Sequence, residues 1–520
     1  MGGGLIKNTL VLTISNMLMR LIGLLFQIYI SKKIGAEGIG IYFLIISVNL
    51  TAATFAISGG RFAATRLVSE EIGKGNYAGA FKAIKICIIY SAVFGIAATF
   101  MLLIFAQPIG LKIIGDSRTV LSLKYLSIGL PFLSTSAVIS GFFTAIKKAY
   151  KGAICDFCEQ FFRIIATLIL ISLIKNYSAE MSCVVLVLGS VVGEIAAFLL
   201  SVTLLLFERR KYTFNTSQEN MLFRLFSIAM PLAISAYVRT GLSTLQNILI
   251  PKGLKRGGAT SKIALESYGE VQGMVFPIVT FPAAIFVSLA EMLVPELTMA
   301  QVRNRNEYIT KFTTRLIKFC MLFSVGVMGY FINFCDQLAL FTYGVQHISR
   351  YIKYLSFLMP IMYLDTVTDG MLRGLGEQNY SMRVNIIDSA ISLLLVYMLT
   401  PKYGVYGYIF VLYFSEIFNI SLSLYKLYAV TGLKFCFNSF AMSILSMFGS
   451  ANVSQVLIRI LNITEQSLPV FILESVIYFT CYAGMIIAFR CLSDEDILSI
   501  SKRLKNIMRQ RSRVVFHKSL

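Results

Sequence analysis

The chain has 520 residues, of which 57% are hydrophobic and 14% charged, with mean hydropathy +0.74 and a formal net charge of +21. A soluble protein carries about 25% charged residues, so a soluble globular domain is excluded. Apolar runs of about 20 residues recur throughout, which points to an all-α polytopic membrane protein. The excess of Lys and Arg lies in short loops and the C-terminal tail, so it reads as an orientation signal and not as a nucleic-acid footprint.

Fourteen spans are predicted, near 6–31, 38–60, 83–106, 121–146, 153–174, 182–207, 224–249, 268–293, 313–334, 352–372, 382–400, 404–428, 438–459 and 468–490. The first reads as a retained helix, because no small-residue cleavage site follows it. "MGGGLI" departs from the myristoylation pattern at Ile6. With an even number of spans both termini share one side. That side holds about twice the Lys and Arg of the other, so both termini are predicted cytoplasmic. The loop "PKGLKRGGATSK" runs against this, with four basic residues on the outer side. The tail, 493–520, is basic and partly amphipathic, suited to an anionic lipid surface. The nine cysteines are scattered, mostly in spans, and "CDFC" (Cys155–Cys158) stands alone with two histidines elsewhere. No catalytic cluster, metal site or cofactor is predicted, and no phosphate-binding glycine loop for ATP.

The chain also matches itself. "MRLIGLLFQIYISKKIG" and "VRTGLSTLQNILIPKG" both carry Arg-x6-Gln, pairing Arg20 and Gln27 with Arg239 and Gln246 at a separation of 219 residues. Gly141 pairs with Gly370 and Glu159 with Asp388 at 229, and Glu194 with Glu416 at 222. The three matches keep their order and correspond to six spans. Two parallel six-helix repeats are therefore predicted, related by an axis along the membrane normal, with a transport site between them. The expected organisation is an N-terminal six-helix lobe (1–210), a C-terminal six-helix lobe (211–432), two additional helices (433–492) and the basic tail (493–520).

An arginine inside a span costs roughly 2.5–3.5 kcal/mol on insertion scales. Arg20 and Arg239 occupy equivalent first spans of the repeats, which predicts that they face each other across a central cavity. Arg61, at the end of the second span, is placed at its mouth. Planar guanidinium donors suit a phosphate anion, and Gln27 and Gln246 add neutral hydrogen-bonding groups on the same helix faces. Arg163 follows Glu159 by four residues and reads as an internal ion pair. Among intramembrane acids, Asp365, Asp369 and Glu194 are the candidates for ion coupling.

"RLIGLLFQIYISKKIGAEGIGIY", "LVSEEIGKGNYAGAFK", "SAYVRTGLSTLQNILIPKGL" and "GMLRGLGEQNYSMR" resemble sporulation-type members of the polysaccharide-transport branch of the multidrug, oligosaccharidyl-lipid and polysaccharide exporter superfamily. The resemblance spans essentially the whole chain. It implies a flippase for an undecaprenyl-pyrophosphate-linked saccharide, a peptidoglycan precursor or other polysaccharide unit, in the bacterial cytoplasmic membrane of a spore former. It implies that Arg20, Arg239 and Arg61 bind the pyrophosphate, with membrane lipid and cell-wall synthesis enzymes as partners. Coupling to H+, Na+ or the membrane potential stays open. Two alternatives also remain: a cation-coupled multidrug exporter on the same fold, and an integral-membrane cell-wall enzyme or scaffold.

Overall fold

The computed structural model describes residues 2–173, 178–209, 221–433, 437–460, 467–489 and 491. The basic tail, 493–520, lies outside the described residues. Every regular element among them is helical.

The first helix, α1 (Gly2–Ile57), has 56 residues. At about 1.5 Å per residue it would run to about 84 Å, against about 30 Å of hydrocarbon. The run is broken at Gly35, whose φ of 73° only glycine adopts freely, so two predicted spans meet there without a polar loop. α2 (Gly60–Gly73) continues to a turn ending at Asn76. The Asn76 side chain accepts from Gly79 N at 2.9 Å and starts α3 (Tyr77–Pro108). Ile89, Val93, Ile96, Phe100 and Ile104 of α3 are all exposed. Their spacing of three and four residues makes one apolar stripe, as a lipid-facing helix requires.

α4 (Thr119–Ser127) and α5 (Leu130–Ala145) share one predicted span but meet at a bend of 47°. Pro131 has no N–H to give the Ser127 carbonyl. Thr99 of α3 donates to that carbonyl instead, at 2.8 Å, so the break leaves no orphan acceptor there. α6 (Ala149–Leu173), α7 (Ala179–Arg209) and α8 (Met221–Arg256) follow. Thr260 then caps α9 (Ser261–Tyr268), which runs through a π-helical segment, Gly269–Val275, into α10 (Phe276–Thr280) and α11 (Ala284–Val302). The remaining helices are α12 (Asn306–Asn333), α13 (Cys335–Tyr343), α14 (Ser349–Ser356), α15 (Met359–Gly374), α16 (Gln378–Thr431), α17 (Phe437–Ile460) and α18 (Leu468–Ala488). α16 repeats the pattern of α1: it has 54 residues and a non-helical Gly404 at φ 60°.

Nine helices among the described residues are long and apolar enough to cross a membrane, or ten with the bent α4–α5 pair. The protein is thus an all-α, multi-pass membrane protein. The number is lower than the fourteen predicted spans for identifiable reasons. α1 and α16 each merge two predicted spans, α15, with 16 residues, is shorter than a full crossing, and α6 carries Asp156, Glu159 and Arg163 too close together to count as an apolar crossing.

Contacts divide the chain into two compact units, Met1–Leu293 with Gly376–Ser423, and Val294–Leu375 with Leu424–Leu520. In the first, Leu67, Tyr90, Val138, Phe142 and Leu225 form a buried core joining α2, α3, α5 and α8. In the second, α12 presents Gly326 and Gly329 to α17 and α18. Tyr482 donates to Leu322 O at 2.7 Å and Tyr478 to Gly326 O at 3.1 Å. A Cβ on Gly326 would come within 2.3 Å of the Tyr482 ring, so small residues set this approach.

Candidate functional site

Arg20 lies on the first half of α1 and is exposed. One turn on, Gly23 lets α1 approach Gln160 of α6, whose Nε2 would be 3.4 Å from a Cβ there. Two turns on, Gln27 donates from Nε2 to the carbonyl of Gly273 in the π-helical segment, at 3.1 Å. Arg239 is exposed on α8. By helical spacing it occupies the face of α8 roughly opposite Tyr237, Thr240 and Thr244, which form the seam that fastens α8 to the second half of α1. In that seam Thr51 Oγ1 meets Thr244 Oγ1 at 2.8 Å, Thr244 donates to Ser47 O at 2.7 Å, and Tyr237 and Ser58 share a 2.6 Å hydrogen bond. Among the described residues neither Arg20 nor Arg239 makes a hydrogen bond or ion pair. Gln246 is half-buried two turns beyond Arg239.

Arg61 is exposed on α2, and its charge acts on Asp156 of α6. The α6 face continues through Glu159 and Arg163, 4.0 Å apart, the i, i+4 pair that the spacing predicts. Asp156 was not singled out from the sequence. Its signal was its position one turn before Glu159. Glu194 of α7 is 8% exposed and lies against Gly129 at the α4–α5 break. Asp365 and Asp369 are half-buried on α15, in the other compact unit. A second buried carboxylate is the one that the internal sequence match pairs with Glu159. Asp388 of α16 is 7% exposed and accepts from Ser415 at 2.7 Å, Asn419 at 3.0 Å and Ser392 at 3.3 Å.

Three glycines allow α1 to cross the start of the eighth predicted span. A Cβ on Gly40 would be 2.2 Å from Leu265 O, and one on Gly269 would be 2.0 Å from Ala36 O. One on Gly273 would be 2.0 Å from the Ile39 side chain. Beside this crossing Arg118 binds Asp116 and Glu37, both at 2.8 Å. Burial works against the Asp116 charge, but the Arg118 hydrogen bonds win and hold its carboxyl below the ordinary carboxylate range. The charge-anomalous loop has local work here. Lys252 donates to Lys112 O at 3.0 Å, Arg256 lies over the Tyr397 ring, Lys255 acts on Asp116, and Lys262 pairs with Glu266. At the other end of α2, buried Glu71 accepts from Lys74, Asn76 and Arg224 of α8, so "SEEIGKGN" forms a clasp between α2 and α8.

An apolar pocket of about 570 Å³ opens between the second half of α1, α3 and α8, lined by Ala52, Phe55, Met101, Phe105 and Leu245 among others. Thr51, Thr244 and Tyr237 at its edge already bond to protein, so the pocket offers hydrocarbon surface. Among the described residues no group of three or more His, Cys, Asp or Glu is arranged to hold a metal.

Residues 5–295 match the family described as polysaccharide biosynthesis protein. The chain belongs to that family. Stage V sporulation protein B of Bacillus subtilis (strain 168) is 23% identical over 411 residues, covering 77% of this chain and 79% of that one. Lipid II flippase MurJ of the same organism is 23% identical over 427 residues, covering 76% and 77%. Among solved structures, a lipid II flippase MurJ in an inward closed conformation superposes with TM-score 0.71 at 15% identity, over 92% of this chain and 99% of that one. An inward-facing multidrug resistance transporter of the MATE family gives TM-score 0.63 at 14% identity, over 81% and 99%. At these identities the likeness to the solved structures is one of fold, and it agrees with the all-α, multi-pass architecture described above.

Proposed function

We propose that the protein flips an undecaprenyl-pyrophosphate-linked saccharide across the bacterial cytoplasmic membrane by alternating access, in spore-cortex or cell-wall synthesis. The observation that carries this reading is the pair Arg20 and Arg239. Both occupy first spans of the sequence repeats, both are exposed within apolar helices, and neither is neutralised by a described residue. A guanidinium kept in a span without a protein partner is best explained by an anion that visits it. The likeness to a curated lipid II flippase supports a lipid-linked cargo.

In this reading the chain crosses the membrane fourteen times, in two six-helix lobes, 1–210 and 211–432, plus two further helices, with both termini cytoplasmic. Merged α1 and α16 each supply two crossings, turning at Gly35 and Gly404. Arg20 and Arg239 bind the pyrophosphate near the midplane, Gln27 and Gln246 hydrogen-bond beside them, and Arg61 receives the anion at the mouth. The saccharide occupies the wet cavity and the polyprenyl chain stays in lipid. The glycine crossing of Gly40 on Gly269 is a closed outer gate that must part for release. Asp365, Asp369 and Glu194 are the ionisable groups available to couple H+ or Na+. The membrane potential is worth about 2.3 kcal/mol per charge per 100 mV, and the arginines offset part of it if they move with the anion.

The test is depletion of the protein followed by measurement of lipid-linked precursors in each leaflet. One pyrophosphate-linked precursor should accumulate on the inner leaflet. Unchanged leaflet distributions for all of them would overturn the assignment.

A further inference from the structure

A helix start opens inside the fourth predicted span. α4 stops at Ser127, α5 begins at Leu130 with Gly129 as its N-cap, and the two are bent by 47°. At this break Ile128 N and Gly129 N donate to Tyr125 O and Leu126 O, 3.2 Å each, and Pro131 has no N–H, so what the α5 N-terminus offers is chiefly its dipole, about half a positive charge. α5 is 16 residues long, long enough for that charge to develop. Glu194 reaches this point from α7. A Cβ built on Gly129 would lie 1.8 Å from Glu194 Oε2 and 2.9 Å from its Cδ. The carboxyl therefore rests on the Gly129 backbone, in space that any side chain would fill.

Glu194 is 8% exposed, and among the described residues it makes no hydrogen bond and no ion pair. The groups facing it are few. From α6 come Glu159 and Arg163, already paired with each other at 4.0 Å. From α1 comes the Tyr42 hydroxyl. Between α4 and α5 it meets the Gly129 backbone, and its own helix adds Val191 beside that glycine. A buried carboxyl with no fixed partner, aimed at a half-helix N-terminus, has one small ligand that fits it without further ligating groups: a proton.

We propose that Glu194 is a proton-binding site whose charge state sets the α4–α5 bend. Ionised, it is held at the α5 N-terminus and keeps the span broken. Protonated, it loses that attraction and frees the junction to move. This deepens the ion-coupling part of the transport reading and rests on it for its purpose.

The experiment is amide hydrogen exchange over residues 126–133 of the purified full chain as pH falls, corrected for intrinsic exchange. It needs no cargo, so a wrong cargo leaves it standing, and its failure leaves the arginine site untouched. In the unaltered protein, protection at the junction should drop by about two- to thirty-fold on acidification, the range of a helix-terminus charge interaction. Glu194→Gln should exchange at the acid-form rate at every pH. Glu194→Asp keeps a titratable group and should retain a smaller response. Gly129→Ala should displace the carboxyl and abolish the response, and Gly129→Ala with Glu194→Ala should pack without the clash yet stay pH-insensitive. A response that persists in Glu194→Gln, or junction protection that ignores pH in the unaltered chain, would overturn the proposal. So would a response to sodium replacing choline at constant pH and ionic strength.

Discussion

Gly269→Ala tests the closed crossing. The new methyl would sit 2.0 Å from Ala36 O and 2.8 Å from Gly40 N, and both obstacles are backbone. Ordinary van der Waals contact starts near 3.4 Å, so the two segments must separate by more than 1 Å. Overpacking of this kind costs about 1–3 kcal/mol, which lowers the closed-to-open ratio by about 5- to 140-fold at 1.4 kcal/mol per decade. Gly273→Ala meets the Ile39 side chain instead and should have a smaller effect, because a side chain can rotate away. Gly241→Ala, with nothing within 4 Å of the new methyl, is the control. Spin labels at Lys33→Cys and Lys262→Cys, both exposed, would report the separation across the crossing, in a background lacking the half-buried Cys158 and Cys481. The expected result is a longer distance population in Gly269→Ala and none in Gly241→Ala. A Gly269→Ala distribution identical to the control would refute the gate argument.

The α2–α8 clasp predicts a strongly non-additive stability pattern. Glu71 is 1% exposed, so replacing Lys74 and Arg224 together by Leu should cost about 3–5 kcal/mol by stranding its charge. Adding Glu71→Gln should recover most of the loss in a thermal melt. The Asp116 network predicts an acid-side loss. Its carboxyl is held below the usual range, so its contribution is complete above about pH 4 and disappears as pH falls through the folded-state value. The melting-temperature difference between the unaltered protein and Asp116→Asn should accordingly shrink toward zero at the acid end. Arg20→Lys and Arg239→Lys should each retain part of the transport that the Ala variants lose, since charge survives while the planar fork does not.

Much of the architecture could be read from the sequence because lipid imposes a simple rule, about 20 apolar residues per crossing. The Glu159–Arg163 pair was equally legible, being a matter of local spacing. What could not be read depends on distant contacts. The bend at Gly129 sits in "SIGLPFL", which is uncharged throughout, and only its Pro signals a break. Glu194 stood out as an intramembrane acid, but its seat on Gly129 joins two helices that are far apart in sequence. The charge of Arg61 acts on Asp156 across 95 residues of sequence, and Asp388 needs Ser415 and Asn419 from beyond the Gly404 turn to form its polar knot. The basic loop 251–262 runs against the predicted orientation because charge counting assigns every Lys and Arg to orientation. Four of them serve contacts with Lys112, Asp116, Glu266 and Tyr397 instead.

The most direct measurement is precursor export by the Arg20→Ala, Arg239→Ala double variant, expressed in place of the unaltered protein and checked for membrane insertion. The expected result is a correctly inserted protein with the pyrophosphate-linked precursor trapped on the inner leaflet, as in depletion. Export at the unaltered rate would contradict it.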